Sequence, residues 1–174
     1  MIWLIDAYGS IRDFFEAGGN VLWGVFCITV LLWSFIVERL MYFRFELPVH
    51  AAAIKAEWAK RTDHTSWYAR RIRERMISEF AIEANRNVGM VKTCIALAPL
   101  FGLLGTVTGM IAVFDVMANL GTGNARAMAS GVSQATLPTM AGMVVAISGI
   151  YFGTSLARRA RDAIEELSDE LRYH

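Results

Sequence analysis

Two long stretches of the chain contain no ionisable side chain. Residues 93–114 and 132–156 lack Asp, Glu, Lys, Arg and His, and residues 21–37 form a third apolar run. Each run approaches or exceeds the roughly 20 residues that a helix needs to cross a ~30 Å hydrocarbon core. The sequence therefore predicts an all-α membrane protein with three transmembrane helices.

Positive charge is distributed unevenly between these runs. Residues 38–92 carry eleven Lys and Arg and residues 158–172 carry four, whereas the N-terminal stretch has Arg12 alone and the 115–130 loop has Arg126 alone. Lys and Arg accumulate on the cytoplasmic side of membrane proteins. This bias predicts that the N-terminus lies outside and the C-terminus lies inside.

The apolar runs and the charges divide the chain into seven predicted segments. The first is a short helix in the outer interface, because Tyr8 and Phe15 share one helical face before Gly18-Gly19 ends it. The helical pattern continues from Ser78 to Lys92, which predicts that the second long helix begins well inside the cytoplasm. The segments are 1–20 (interfacial helix), 21–43 (first transmembrane helix), 44–90 (cytoplasmic helical segment), 91–117 (second transmembrane helix), 118–130 (outer loop), 131–155 (third transmembrane helix) and 156–174 (cytoplasmic amphipathic tail).

The tail continues the third helix with an apolar stripe. Residues 131–171 read as one helix of about 60 Å at 1.5 Å per residue, which is twice the bilayer core. Such a projecting helix must bury its stripe, and neighbouring copies of the same chain are the simplest candidate. The stripe consists of Leu156, Ala160, Ala163, Leu167 and Leu171.

Small residues line one face of each of the second and third predicted spans. In lipid, small residues let helix backbones approach closely. Van der Waals packing then drives helix association, because apolar side chains gain little by leaving lipid. Each glycine costs a helix roughly 1 kcal/mol against alanine, so a whole row predicts close packing. The predicted packing residues are Gly102, Gly105, Gly109, Gly131, Ala135, Gly142, Ala146 and Gly149. The first run is bulky apart from Gly24, which is typical of a lipid-facing helix.

Hydroxyl, amide and proline residues interrupt the same two spans. Thr106 and Thr139 lie beside or within the small-residue faces, and Gln134 lies one turn before Pro138. Threonine hydroxyls often bond the carbonyl four residues back, which is the structural alternative to a role in a pore. Pro99 and Pro138 are predicted kinks that each leave a carbonyl without its helical donor, and a hydrated lumen would tolerate that acceptor.

The composition argues against several other classes of function. No phosphate-binding loop, nucleophile elbow or pair of catalytic carboxylates is present, so an enzyme is not expected. Cys27 and Cys94 lie inside apolar runs, without a CxxC pattern or a nearby His that would suggest a metal. A formal net charge of +1 gives no support for nucleic-acid binding. No cofactor is predicted, and the lipid bilayer is the first expected partner.

Two motifs on the adjacent spans resemble a known family. LAPLFGLLGTVTGMI, followed some twenty residues later by GVSQATLPTMAGMVVAI, is similar to the paired signature of the ExbB/TolQ/MotA proton-channel proteins. The ERLMYFR ending of the first span and the N-out layout with three spans also match. The resemblance covers roughly residues 21–165, and the short chain looks most like a compact ExbB.

The resemblance implies a homopentameric ring in the inner membrane of a Gram-negative bacterium, with the second and third helices around a pore. It implies an ExbD-type one-span partner carrying a membrane aspartate, and a TonB-type protein that transmits energy for uptake of iron-siderophore or haem. Thr106 and Thr139 match pore-facing threonines of the family. Gln134 stands where many relatives have glutamate, and Pro138 where they often have alanine.

Two other functions fit the same residues. A TolQ-like subunit for envelope maintenance belongs to the same class of motor, and a non-conducting membrane scaffold would need no ion flow. MotA-type stators usually have four spans and a larger cytoplasmic part, which disfavours them. Proton leak that depends on the partner's acid would separate a motor subunit from a scaffold.

Overall fold

The described part of the protein is entirely helical. The computed structural model describes residues 2–120 and 125–171, without the side chains of residues 2–5 and 120. Three of its helical stretches are long and apolar enough to cross a membrane, as the sequence predicts. The elements are α1 (Ile2–Met41), a short π-helix (Tyr42–Glu46), α2 (Leu47–Ala59), α3 (Trp67–Asn85), α4 (Val88–Leu120) and α5 (Ala125–Glu170).

The predicted boundaries shift at two places. The outer loop was expected over residues 118–130, but α5 already begins at Ala125, and residues 121–124 lie outside the described part. The helical pattern over residues 78–92 is interrupted at Arg86 and Asn87, where Asn87 adopts a left-handed φ of 58°. Asparagine tolerates this conformation better than most residues, so α3 and α4 are separate helices.

The first helix is broken where two glycines were expected to end it. Gly19 has φ 67° and ψ −169°, a backbone conformation that is open essentially to glycine alone. The N-terminal segment therefore changes direction before the first apolar run begins. Its predicted position in the outer interface stays a prediction.

The chain divides into two compact units. The first contains Met1–Leu32 and Thr93–Ile150, and the second contains Trp33–Lys92 and Tyr151–His174. In the first unit, α1 buries one face at a spacing of three to four residues through Leu22, Val25, Ile28 and Leu32. The opposite face stays exposed and apolar, with Trp23 and Phe26 among its residues, as the sequence predicts for a lipid-facing helix.

The second unit has its own hydrophobic core. The end of α5 packs against the helical pair α2 and α3, and the core residues are Leu47, Trp58, Ala69, Phe80, Ala84, Ala160, Leu167 and Leu171. The prediction that neighbouring copies cover the stripe of the tail is therefore wrong. The intervening segment provides the cover, because its two helices each carry an apolar face.

Arginines hold the second unit together at two points. Arg39 has only 1% of its surface exposed, donates to the Glu83 carbonyl oxygen at 3.2 Å and lies 4.7 Å from the Tyr42 ring centroid. Arg73 donates to the carbonyl oxygens of Ser168 (2.6 Å) and Leu171. The last carbonyls of a helix lack intrahelical donors, so Arg73 caps the C-terminal end of α5.

The start of α3 is capped by its own loop. The Ser66 hydroxyl accepts a hydrogen bond from the Ala69 N–H, and Asp63 accepts from the backbone N–H groups of Thr65 and Ser66. Hydrogen bonds from Ser66, and then from the Thr65 N–H, hold the pKa of Asp63 below its usual value. A carboxylate is thus favoured where the N-terminal end of a helix needs an acceptor.

Orientation across the membrane is tested by labelling from either side. In a Cys27→Ala/Cys94→Ala background, we expect Asn119→Cys to react with an impermeant maleimide from outside and Glu165→Cys only after the cells are opened. Both positions are exposed, and the charge bias puts them on opposite sides. Labelling of both from the same side would contradict the topology.

The cap at the end of α5 has a measurable effect on stability. We expect Arg73→Leu to destabilise the second unit by about 2–4 kcal/mol, because two helix-terminal carbonyls lose a charged donor. Arg75→Leu is the matched control, since Arg75 is exposed and pairs with Glu79 one turn away, so its effect should stay within about 0.5 kcal/mol. Thermal unfolding in detergent, followed by tryptophan fluorescence, measures both. Equal losses of stability in the two variants would show that the Arg73 cap does not stabilise the second unit.

Candidate functional site

The candidate site lies where α4 and α5 approach each other in the first unit. All eight packing residues predicted from the sequence are buried. A Cβ added to Gly102 would lie 2.8 Å from the Cα of Thr139, and one added to Gly142 would lie 2.5 Å from the Ala98 carbonyl oxygen. These are backbone atoms, which cannot move aside as a flexible side chain does. The two helices therefore meet backbone to backbone.

The small-residue contact continues on both sides of this point. Towards the C-terminal end of α4, Gly105 faces Pro138, Gly109 faces Ala135, and Gly131 faces Val113. Towards the other end, Gly149 packs against Ile95 and Leu32. Both prolines of the site lie inside continuous helices. A bend at Pro99 or Pro138 stays a prediction.

The two threonines occupy different environments. The Thr139 hydroxyl donates to the carbonyl oxygen of Gly102 on the facing helix at 2.9 Å, with a longer approach of 3.4 Å to its own Ala135 carbonyl. The Thr106 hydroxyl donates to the Leu103 carbonyl of its own helix at 2.7 Å. Thr139 thus links the helices at their closest approach, which the sequence pattern did not indicate. Thr106 instead bonds a carbonyl of its own helix, as expected for a threonine with a structural role rather than a role in a pore.

Gln134 lies against the break in α1. A Cβ on Gly19 would lie 2.8 Å from Gln134 Cγ, so a side chain at Gly19 would displace the amide. Gln134 also lines a polar pocket of about 180 Å³ together with Asn20 and Thr108. A polar pocket of this size has room for water.

Sequence reasoning missed Asn20 and Thr108 as neighbours of Gln134. Each is a polar residue near the outer end of a different predicted span, and that shared depth was the available signal. Their proximity depends on the turn at Gly19, which spacing along the chain does not reveal. The predicted pore-facing role of Gln134, Thr106 and Thr139 stays a prediction.

No titratable side chain belongs to this site. Hydroxyl, carboxamide and backbone groups can hold water or donate to an anion, but they cannot exchange a proton at neutral pH. Among the described residues, no group of three or more His, Cys, Asp or Glu could hold a metal ion. The side chains of the site can therefore hold water or donate to a carboxylate.

The fold and the site define a multi-span helical membrane protein whose second and third candidate spans pair through small residues. The sequence model of the MotA/TolQ/ExbB proton channel family matches residues 44–169, and the chain belongs to this family. The resemblance of the two motifs is thereby confirmed. This is a family of proton-channel and transport components rather than enzymes.

Individual relatives carry the ExbB name. The chain is 49% identical over 73 residues to a Synechocystis protein named ExbB-like 1, covering 40% of this chain and 28% of that protein. It is 30% identical over 96 residues to the biopolymer transport protein ExbB of Pseudomonas putida, covering 55% and 29%. Against the ExbB of Aquifex aeolicus it is 29% identical over 82 residues, covering 47% and 55%. The chain thus spans about half or less of these relatives' length, and no solved structure matches it.

Gly142 is closely packed and Gly89 is not, so substitution by alanine should change stability differently at the two positions. We expect Gly142→Ala to lower the melting temperature by roughly 2–10 °C, because the new methyl group meets backbone and overpacking costs about 1–3 kcal/mol. Gly89→Ala is the control, because no described atom beyond its chain neighbours and its own helix backbone lies within 4 Å of its Cβ position. The gain in helix propensity should leave that variant as stable as the parent or more so. Two variants of equal stability would contradict the close approach.

Proposed function

We propose that this chain is the ExbB-like multi-span subunit of a proton-driven motor in the inner membrane of a Gram-negative bacterium. With an ExbD-type one-span partner and a TonB-type protein, it energises uptake of iron-siderophore or haem across the outer membrane. The observation that carries this proposal is the pair of glycine-faced helices whose residues 93–114 and 132–156 contain no acid, within a chain of the proton channel family.

The absence of acid supports a division of labour between subunits. An ion path through a membrane normally needs an ionisable group at depth, and neither residues 93–114 nor 132–156 contain one. A partner's aspartate is the simplest source of that group. Moving one charge through 100 mV releases about 2.3 kcal/mol, and protonation of the partner would couple this energy to motion.

Exposed apolar surface supports assembly into a ring. The faces of α4 and α5 that point away from their shared contact carry large apolar side chains, including Leu103, Phe114, Val144 and Ile147, each at least 58% exposed. Lipid, further copies of this chain and the partner's span can all cover such faces. By family resemblance we propose a ring of five copies, with α4 and α5 around the pore.

Thr106 would contact the partner directly in this ring. Its hydroxyl has one donor, which bonds Leu103 in the single chain, and lone pairs that can accept from water or a protonated carboxyl. When the partner's carboxyl ionises, the hydroxyl can rotate and donate to it instead. A hydroxyl with two alternative acceptors would thus follow the protonation state of the partner.

A TolQ-like role would require a different set of partners. Affinity purification of the full chain from native membranes, followed by identification of the co-purifying one-span proteins, separates the two roles. Recovery with a TonB-type protein supports the proposal. Recovery with envelope-maintenance proteins and without a TonB-type protein would replace it.

The Thr106 hydroxyl can be tested without disturbing assembly. In a strain that lacks its own multi-span subunit but expresses the partners, we expect Thr106→Val to reduce uptake from a TonB-dependent iron source by about tenfold or more. That is the loss of one hydrogen bond to a charged group. Thr106→Ser keeps the hydroxyl and should retain uptake. Native mass spectrometry checks that both rings form, and full uptake by Thr106→Val would show that the hydroxyl only bonds its own helix.

A further inference from the structure

The bend of α1 encloses a groove in the first unit. Along a straight helix, Phe15 and Phe26 would be roughly 16 Å apart at 1.5 Å per residue. Their ring centroids are 5.6 Å apart, and those of Phe15 and Trp23 are 4.6 Å apart. The turn at Gly19 therefore folds the N-terminal segment back over the start of the first apolar run.

Two different surfaces line this groove, whose volume is about 560 Å³. Phe15, Trp23 and Phe26 form an aromatic wall, and Arg12 and Glu16 form a charged rim one to two turns before the break. A volume of this size lies in the range of small-molecule sites, ~300–1,000 Å³. Aromatic rings at the membrane boundary favour a ligand with an apolar body and a polar head.

The charged rim is neutral overall but carries both signs. Arg12 Nε donates to Glu16 Oε1 at 2.7 Å, and 68% and 62% of the two side chains are exposed. The guanidinium keeps the N–H groups of its two terminal nitrogens, and the carboxylate keeps its second oxygen. A phosphate can therefore bind Arg12 while an ammonium group binds Glu16.

From this pattern we infer that the groove binds a zwitterionic aminophospholipid, whose phosphate and ammonium lie on Arg12 and Glu16 and whose acyl chain lies on the aromatic wall. An anionic headgroup without an ammonium would leave the Glu16 charge facing a phosphate. The site thus selects by headgroup rather than by net charge. This inference goes beyond the proposed function, which uses none of these residues.

The inference is tested by comparing how often each of two lipid classes contacts Trp23. The full chain, with its other four tryptophans replaced by phenylalanine, is placed in vesicles that mix phosphatidylethanolamine with phosphatidylglycerol. One lipid at a time carries brominated acyl chains, which quench tryptophan fluorescence on contact. We expect brominated phosphatidylethanolamine to quench Trp23 with about two- to fivefold preference, as exposed ionic contacts allow. A second protein that retains only Trp33 should show no preference.

Two carboxylates on the same segment, Glu16 and Asp13, distinguish binding in the groove from a general effect of charge. Glu16→Gln removes the negative charge that attracts the ammonium and leaves the charge of Arg12 uncompensated, so the preference should fall to one or turn towards phosphatidylglycerol. Asp13→Asn removes the same charge from a residue outside the groove lining and should keep the preference. Equal loss in both variants, or equal quenching of the parent by both lipids, would overturn the site.

A second measurement uses the chain with all its tryptophans, which excludes any effect of the tryptophan replacements on the groove. Native mass spectrometry of the full chain with all tryptophans counts retained lipids of each class for the parent, Glu16→Gln and Asp13→Asn. We expect the parent and Asp13→Asn to retain phosphatidylethanolamine about two- to fivefold more than Glu16→Gln does. Retention of a second copy of the chain in place of lipid would identify the groove as a protein interface and would also overturn the site.

Discussion

The backbone contact between α4 and α5 is the interaction on which the membrane part depends. In lipid, helices gain little by hiding apolar side chains from each other, so contact distance governs their association. Gly102 and Gly142 remove the Cβ atoms at the closest approach, and the Thr139 hydroxyl bonds across it. A single added methyl group at Gly142 would meet backbone. The large apolar side chains are thereby left on the outer faces, available for lipid and for other chains.

A different principle stabilises the second unit. Its core is an ordinary hydrophobic cluster in which Leu167 of α5 packs with residues of α2 and α3 such as Trp58 and Phe80. Burial of apolar surface from water contributes there, at about 25 cal/mol per Å², whereas it contributes little between helices in lipid. The charged groups follow the same division. Arg39 and Arg73 are bound to carbonyl oxygens in the second unit, and the contact between α4 and α5 contains no charge.

The proposed function rests on what the chain provides and on what it would leave to a partner. Hydroxyls and amides can hold water or a carboxylate, but proton transfer needs a group that titrates. The position of Gln134 in the family motif does not reveal its contacts in the single chain. There, its amide lies against Gly19 and beside a polar pocket. In the proposed ring, the surroundings of Gln134 would also include surfaces of neighbouring copies.

The sequence by itself determined the helical class, the three candidate spans and the buried small-residue faces, because hydrophobic length and helical spacing are local properties of the chain. It also indicated the break at Gly19, where two adjacent glycines stood before an apolar run. Only the tertiary structure decided what each face contacts. The stripe of the tail could have been covered by another copy, and the Thr139 hydroxyl could have bonded its own helix alone. Both outcomes depend on which distant segments meet, and periodicity along one helix carries no information about its neighbour.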